Sequence, residues 1–344
     1  MVIYAKQRDS LLKRQYKIYF DNSNLTQTHH NGFIYLPLLY KMPSALYTKE
    51  SNLIEYIHQT DLSPLTKQNY VDRVRALEKK LGKSIFEIIK SAESSIETIR
   101  TTYELDTTRK IYLSVILSLF RHVPKLKEQL SKAFVLWSEA FKHHDQAVEN
   151  RYKTNAPTDK QRAGYIPYED IKAKRFQLPK GSIERLILAL YTDIYPLRAD
   201  FNKVRLYKTI PETPESNYIH LRKNGCRLYL NEYKTAKKHG TFEKEFPESL
   251  CQEIHESLEE MPRDWLFINA NKEPFELSNS FVHYINKKLQ TIFHKPLTIS
   301  LIRHAFISTL DFNTLTIADK EQIAKEMTHT TRLQDQYRLI FDKK

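Results

Sequence analysis

Apolar side chains recur every three or four positions through residues 48–147, and that period commits the first half of the chain to helices. Ser63-Pro64 reads as a helix start, with serine as the cap and proline in the first turn. Tyr70, Val74, Leu77 and Leu81 then form one apolar stripe, which ends near Gly82. Lys67, Arg73, Lys79 and Lys80 fall mostly off this stripe, on the solvated side. A second helix is predicted around 96–103. A third covers 107–120, with Ile111, Val115 and Leu119 facing inward. A fourth runs from Lys125 to His143, with Leu130, Phe134, Trp137 and Phe141 on one side.

The pattern changes at residues 148–165, which are polar, contain Pro157 and show no period, and so read as a linker. Beyond it, 181–195 is apolar and helical. Short strands are predicted over 218–221, 227–230 and 241–246, joined by turns at Asn224-Gly225 and near His239-Gly240, with a further strand at 265–268. Helices follow at about 277–292, 298–311 and 317–328, and a last one contains Tyr337. The predicted fold is mainly α with a small antiparallel sheet. It is divided into a basic N-terminal arm or extension (1–47), a helical domain (48–147), the linker and a C-terminal α/β domain (166–344). The arm mixes six Lys/Arg and two Asp in its first 44 residues with aromatic and β-branched side chains, a composition that fits short strands or an irregular extension equally.

Composition narrows the chemistry. Lys plus Arg number 54 against 41 Asp plus Glu, a formal charge of +13, which favours a polyanionic partner through steering and counterion release. Only two cysteines occur, Cys226 and Cys251, without a CxxC or a paired His cluster, so neither a disulfide framework nor a zinc site is expected. Six glycines in 344 residues leave no GxxxxGK[ST] and no GxGxxG, so a nucleotide is not an expected ligand. The start of the chain lacks an apolar signal core and no run approaches spanning length. The expectation is therefore a soluble, intracellular protein without a membrane segment.

The chemistry-bearing residues cluster late: Arg303-His304 in an apolar helix, His329 at Met327-Thr328-His329, and Tyr337 near the chain end. Arginine is a permanently charged fork that matches phosphate oxygens. Histidine can donate to the same phosphate near neutral pH, and tyrosine can act as a covalent nucleophile. Together they can attack a phosphodiester without a metal or other cofactor.

The C-terminal half resembles the catalytic domain of the tyrosine recombinases (phage-type integrases), and the preceding helical domain is similar to their core-binding domain. Four blocks carry the resemblance. Leu197-Arg198-Ala199-Asp200-Phe201 matches the first phosphate-binding arginine, with Asp200 two positions after it where the family has its acidic residue three after. Residues 231–240 match the hairpin that carries the family's general-acid lysine. Lys234, immediately before threonine at the end of a strand, fits best, and Lys237 and Lys238 are rivals. In Ser300-Leu301-Ile302-Arg303-His304, Arg303 matches the second phosphate clamp, but Ser300 stands where the family has His or Lys. Serine can bond phosphate but supplies no acid or base near neutral pH. His304 is read as a packing or supporting residue. In the last block His329 lies eight residues before Tyr337, the matching nucleophile, and Thr328 replaces the family's glycine. Trp137 and residues 156–161 are also similar to members carried by large DNA viruses and related mobile elements.

The resemblance implies a site-specific recombinase or integrase that cleaves and rejoins double-stranded DNA at attachment sites through a 3′-phosphotyrosyl link, without metal or ATP. It implies a homo-tetramer on DNA, acting in a host nucleus or cytoplasm or in a virus particle. In this frame Lys67, Arg73, Lys79, Lys80 and Lys238 become DNA contacts. Two other outcomes use the same residues: a type IB-like topoisomerase, or a catalytically degenerate DNA-binding protein.

Overall fold

Capping and turn signals set the order of elements in this computed structural model, which describes residues 52–341, all within one unit spanning 48–344. The expectations for residues 1–47 lie outside the described residues. The first helices are α1 (Ile54–His58), α2 (Pro64–Leu81), α3 (Ile85–Lys90), α4 (Ala92–Thr102), α5 (Asp106–His122), α6 (Leu126–Gln129) and α7 (Ser131–Thr154). Ser63 Oγ accepts from Thr66 N–H at the start of α2. Gly82 closes the helix at φ 64°, a left-handed cap that glycine reaches without steric cost. Val71, Val74 and Leu77 are the buried face of α2. Trp137 on α7 is fully buried, and its indole N–H donates to Ile89 O at 3.0 Å, so the ring's polar edge is satisfied inside an apolar core.

Three local expectations are corrected here. The predicted helix from Lys125 to His143 is two helices, because Lys125 takes a left-handed φ of 58° and Leu130 leaves helical geometry at φ −120°, ψ 43°. Ile111 is 41% exposed rather than buried. At 3.6 residues per turn it falls on the side of α5 opposite Leu113 and Phe120, which face the core. Residues 148–165 are largely helical. Helix α7 continues to Thr154, with His144 and Val148 holding its inner side, and α8 (Asp159–Gly164) opens on a reciprocal Thr158–Gln161 capping box.

The second core runs from Ile166 to Met327. It is built from α9 (Tyr168–Arg175), α10 (Ile183–Thr192), strands β1 (Arg205–Tyr207), β2 (Asn217–Arg222), β3 (Gly225–Leu230), α11 (Ala236–His239), β4 (Phe242–Glu245), α12 (Glu248–Glu260), α13 (Ser278–Phe293), α14 (Ile299–Thr309), α15 (Ile317–Glu326) and α16 (Thr331–Tyr337). The sheet order is β1-β2-β3-β4. The two later pairs are antiparallel as expected, but β1 adds a parallel neighbour to β2, so the sheet is mixed. Three residues are too few to show a period, which is why β1 is silent in the sequence. The 265–268 segment is not a strand. It makes a single antiparallel bridge, Trp265 to Arg205. Alternation places Ile219, Leu221, Cys226, Leu228 and Leu230 on the buried face. The apolar stripes of α10, α13 and α14 close over the same core, and α16 is brought against α14 and α15.

Two features fix where the C-terminal helices sit. Gly164, the last residue of α8, approaches the backbone of Pro296 so closely that an added Cβ would lie 2.5 Å from its carbonyl oxygen and 2.7 Å from Leu301 Cδ1. Past α16, Leu339 N–H donates to Ser308 Oγ at 2.9 Å and Ile340 N–H to Asn155 O at 2.9 Å, which pins the chain just beyond its last helix.

Candidate active site

Arg198 follows α10, and its backbone is fixed before its side chain is. Its carbonyl accepts from the buried Tyr191 hydroxyl at 3.0 Å, and its N–H donates to Asp200 Oδ2 at 3.2 Å. The guanidinium then reaches across the core to donate to Thr328 O at 2.7 Å. Arg303, on the inner face of α14, is almost wholly buried, with 1% of its surface exposed. One amino group donates to Pro196 O. The other donates to Met327 O at 3.3 Å and bonds His329 Nδ1 at 3.0 Å. Three consecutive residues, Met327 to His329, therefore receive both arginines.

That geometry also sets the state of His329. An arginine only donates, so Nδ1 must accept and the proton of a neutral ring must sit on Nε2. Burial, reinforced by the charges of Arg303 and Arg198, lowers the imidazole pKa to about 3, so the ring is neutral across the physiological range. Its Nε2 is buried and has no hydrogen-bond partner among the described residues, and the same holds for Nε of Arg303. Both are donors of a kind suited to phosphate oxygen.

Tyr337 ends α16 with its ring over this group. Arg303 Cζ lies 5.0 Å from the ring centroid, and the His329 ring stacks at 5.6 Å. Burial pushes the phenol upward, but the nearby charges of Arg303 and Arg198 outweigh it, and the net shift is downward. Every other tyrosine among the described residues with a resolved shift moves the opposite way, as Tyr168, Tyr191, Tyr233 and Tyr284 do through burial. A phenol lowered by two neighbouring guanidinium charges is chemically suited to nucleophilic attack. Beside it lies a cavity of about 200 Å³ lined by Tyr152, Ser300, His304, Leu333, Gln336 and Tyr337.

The remaining expected residues are arranged less tightly. Lys234 is not at the end of a strand. β3 stops at Leu230, and Lys234 lies exposed in the turn that leads into α11. The turn is nonetheless anchored to the site, because Thr235 Oγ1 donates to Thr328 O at 3.2 Å. Lys237 is exposed on α11, and Lys238 lies on the same short helix. Ser300 is exposed in the first turn of α14 and reaches the site only as part of the cavity wall. His304 lies on the far side of Tyr337, with its ring 4.7 Å away. On α2, Lys79 and Lys80 are exposed in the last turn, whereas Lys67 Nζ donates to His58 O and Arg73 to Asn69 O, each at 2.9 Å.

Three residues have roles that the sequence pattern did not assign. Asp200 is buried, and its carboxyl is raised by that burial against the opposing charges of Arg198 and Arg303. Its position two residues after Arg198 was the available signal. Thr328 is buried at φ 54°, a region unfavourable to a β-branched residue, and its oxygens receive Arg198. Gln161 bonds His304, and the Thr-x-x-Gln capping pattern marks only its local role.

No protein-family model matches this sequence, and no curated protein matches it. Among solved structures, a crystal structure of XerA recombinase is similar at 14% identity and a TM-score of 0.37, over 84% of this chain and 92% of that chain. That likeness is too distant to carry function. No helix among the described residues is long and apolar enough to cross a membrane.

Proposed function

We propose that this protein breaks and rejoins DNA strands through a covalent phosphotyrosyl intermediate, as a tyrosine-recombinase-like strand transferase. The observation that supports the reading is the cluster of Arg303, His329 and Tyr337, with Arg303 Cζ 5.0 Å from the Tyr337 ring centroid and Arg198 bonded to the neighbouring Thr328, the charges of both arginines lowering the phenol. A scissile phosphate placed there would take these donors on its non-bridging oxygens, with the Nε2–H of His329 as a third. Charge that builds in the pentavalent transition state would then meet fixed donors in a desolvated site.

The Tyr337 oxygen, its proton passed to water, forms a bond to phosphorus as the bond from phosphorus to the 5′ oxygen breaks. The leaving 5′ oxygen takes a proton from Lys234, whose turn is anchored to Thr328 through Thr235. The ester conserves the bond energy, so a 5′ hydroxyl can reverse the step. Residues 48–147, with Lys67, Arg73, Lys79, Lys80 and, from the second core, Lys238, supply contacts to duplex phosphates in this reading. Exchange between two duplexes requires four copies on DNA.

The test is a random-sequence duplex library carrying a nick, so that cleavage releases a short fragment and traps the product. Wild-type protein should give a denaturant-resistant protein–DNA adduct, and Tyr337→Phe should give none. Absence of an adduct from wild type, in a preparation that retains duplex DNA, overturns the enzyme reading.

A further inference from the structure

His304 has no part in the chemistry above, yet it holds the nucleophile from behind. Its Nδ1 lies 2.6 Å from the carbonyl oxygen of Tyr337. A carbonyl only accepts, so Nδ1 carries the proton and Nε2 of the neutral ring is an acceptor. Facing Nε2 at 3.4 Å is the side-chain nitrogen of Gln161. That amide is itself oriented, because its oxygen accepts the Thr158 backbone N–H at 2.9 Å in the capping box of α8. The amide oxygen is thus occupied, and the nitrogen is the end left to meet His304. Three covalently distant pieces of chain are linked in series: the start of α8, the middle of α14 and the end of α16.

We propose that His304 is a positioning residue for Tyr337, and that the Thr158–Gln161 turn sets its tautomer and thereby the place of the nucleophile. This rests on the strand-transfer reading of Tyr337. The helix end needs such a fix, because Tyr337 is the last residue of a seven-residue helix and the chain leaves helical geometry at Arg338. The Tyr337 carbonyl is one of the C-terminal oxygens that a helix cannot satisfy internally, and His304 supplies its donor. Gly164 keeps α8 close enough to α14 for the linkage to form.

The test compares His304→Leu with His304→Asn on the nicked duplex library, scoring duplex retention and the single-turnover rate of adduct formation. An asparagine amide nitrogen can stand where Nδ1 stood, whereas leucine fills the space without donating. His304→Leu should slow adduct formation by about 100-fold, the penalty expected of a nucleophile displaced by about 1 Å, and change duplex retention by less than about 2-fold. His304→Asn should recover most of the rate. A duplex whose 5′ bridging oxygen is replaced by sulfur leaves without a proton donor, so the His304→Leu deficit should persist on it.

Equal rates for His304→Leu and wild type overturn the proposal, as do equal deficits in Leu and Asn. Rescue by the sulfur substrate also overturns it, since His304 would then act on the leaving group. Should His304→Leu not fold, the Asn variant and Gln161→Met are compared with wild type. The proposal then requires a slow Gln161→Met and a near-normal His304→Asn. Failure of wild type to form any adduct defeats the underlying reading instead, so the two outcomes remain distinct.

Discussion

Arg303 donates to Nδ1 of His329 across 3.0 Å, and that bond decides which edge of the imidazole carries a proton. The ring is held neutral by burial and by two neighbouring arginine charges. Its pH consequence has a definite sign. Because the folded pKa is depressed to about 3 while the unfolded value is about 6.5, the unfolded chain takes up the proton first as pH falls. Stability should therefore be complete above about pH 6.5 and decline towards pH 3, by a few kcal/mol on the order-of-magnitude scale of such shifts. Urea unfolding of wild type and His329→Gln between pH 7 and 4 checks this. The variant, which keeps a donor near the Nε2 position but does not titrate, should show the shallower slope.

Tyr337 should ionise at a lower pH than the other tyrosines. In an absorbance titration at the tyrosinate band, wild type should show an early component below pH 10 that vanishes in Tyr337→Phe. Arg198→Ala should move that component upward, because one of the two guanidinium charges that lower the phenol is gone. An unchanged titration in Arg198→Ala would show that Arg303 alone sets the phenol.

Asp200 accepts the Arg198 backbone N–H, and the charges of both arginines act on its buried carboxyl. Asp200→Ala should leave the Arg198 N–H without its acceptor and remove an opposing charge near the arginines, destabilising the fold by about 1–3 kcal/mol. Asp200→Asn keeps an acceptor for the Arg198 N–H and should cost less. The ordering of the three proteins in chemical denaturation is the measurement, and equal stability of Ala and wild type would refute the role.

Lys234 and Lys237 are both exposed, and Lys234 directly precedes Thr235, whose side chain bonds Thr328 O. Lys234→Ala should slow cleavage of an ordinary nicked duplex by about 100-fold or more, the scale of general-acid catalysis. It should approach wild type when sulfur replaces the 5′ bridging oxygen. Lys237→Ala should cleave both substrates at near-normal rates, and a reversal of the two lysines would reassign the proton donor.

Much of this site is legible in the sequence because its parts are marked by residue type and order. Arg198, Arg303, and the pair His329 and Tyr337 stand in three separate blocks, which the fold gathers around the 327–329 segment. The helix of α2 was equally plain, since Ser63, Pro64 and Gly82 carry its ends in their own chemistry. What could not be read was set by long-range geometry. Nothing local to Gln161 says that its amide will meet a histidine 143 positions away. Nothing in Thr328 announces a left-handed backbone, since that conformation is imposed by the bonds its carbonyl accepts. The end of α7 was missed because polar residues cover its outer face, and only His144 and Val148 mark the inner one.

Gly164→Ala should be more costly than a glycine-to-alanine change in a helix ordinarily is. The new methyl would lie 2.5 Å from the Pro296 carbonyl, so α8 or the 296–301 segment must move. A loss of about 1–3 kcal/mol is expected from such overpacking. Thermal unfolding reads it, and a stabilised variant would show that α8 shifts freely.

Thr328 O accepts from Arg198 at 2.7 Å and from Thr235 at 3.2 Å, while the backbone is held at φ 54°. A threonine in that region is uphill by about 1–2 kcal/mol, so the peptide plane stays put only while its bonds hold it. Arg198 and the turn bearing Lys234 thus share one handle. Turning that single peptide would carry Arg198 and Lys234 together, so the two cannot be adjusted one at a time.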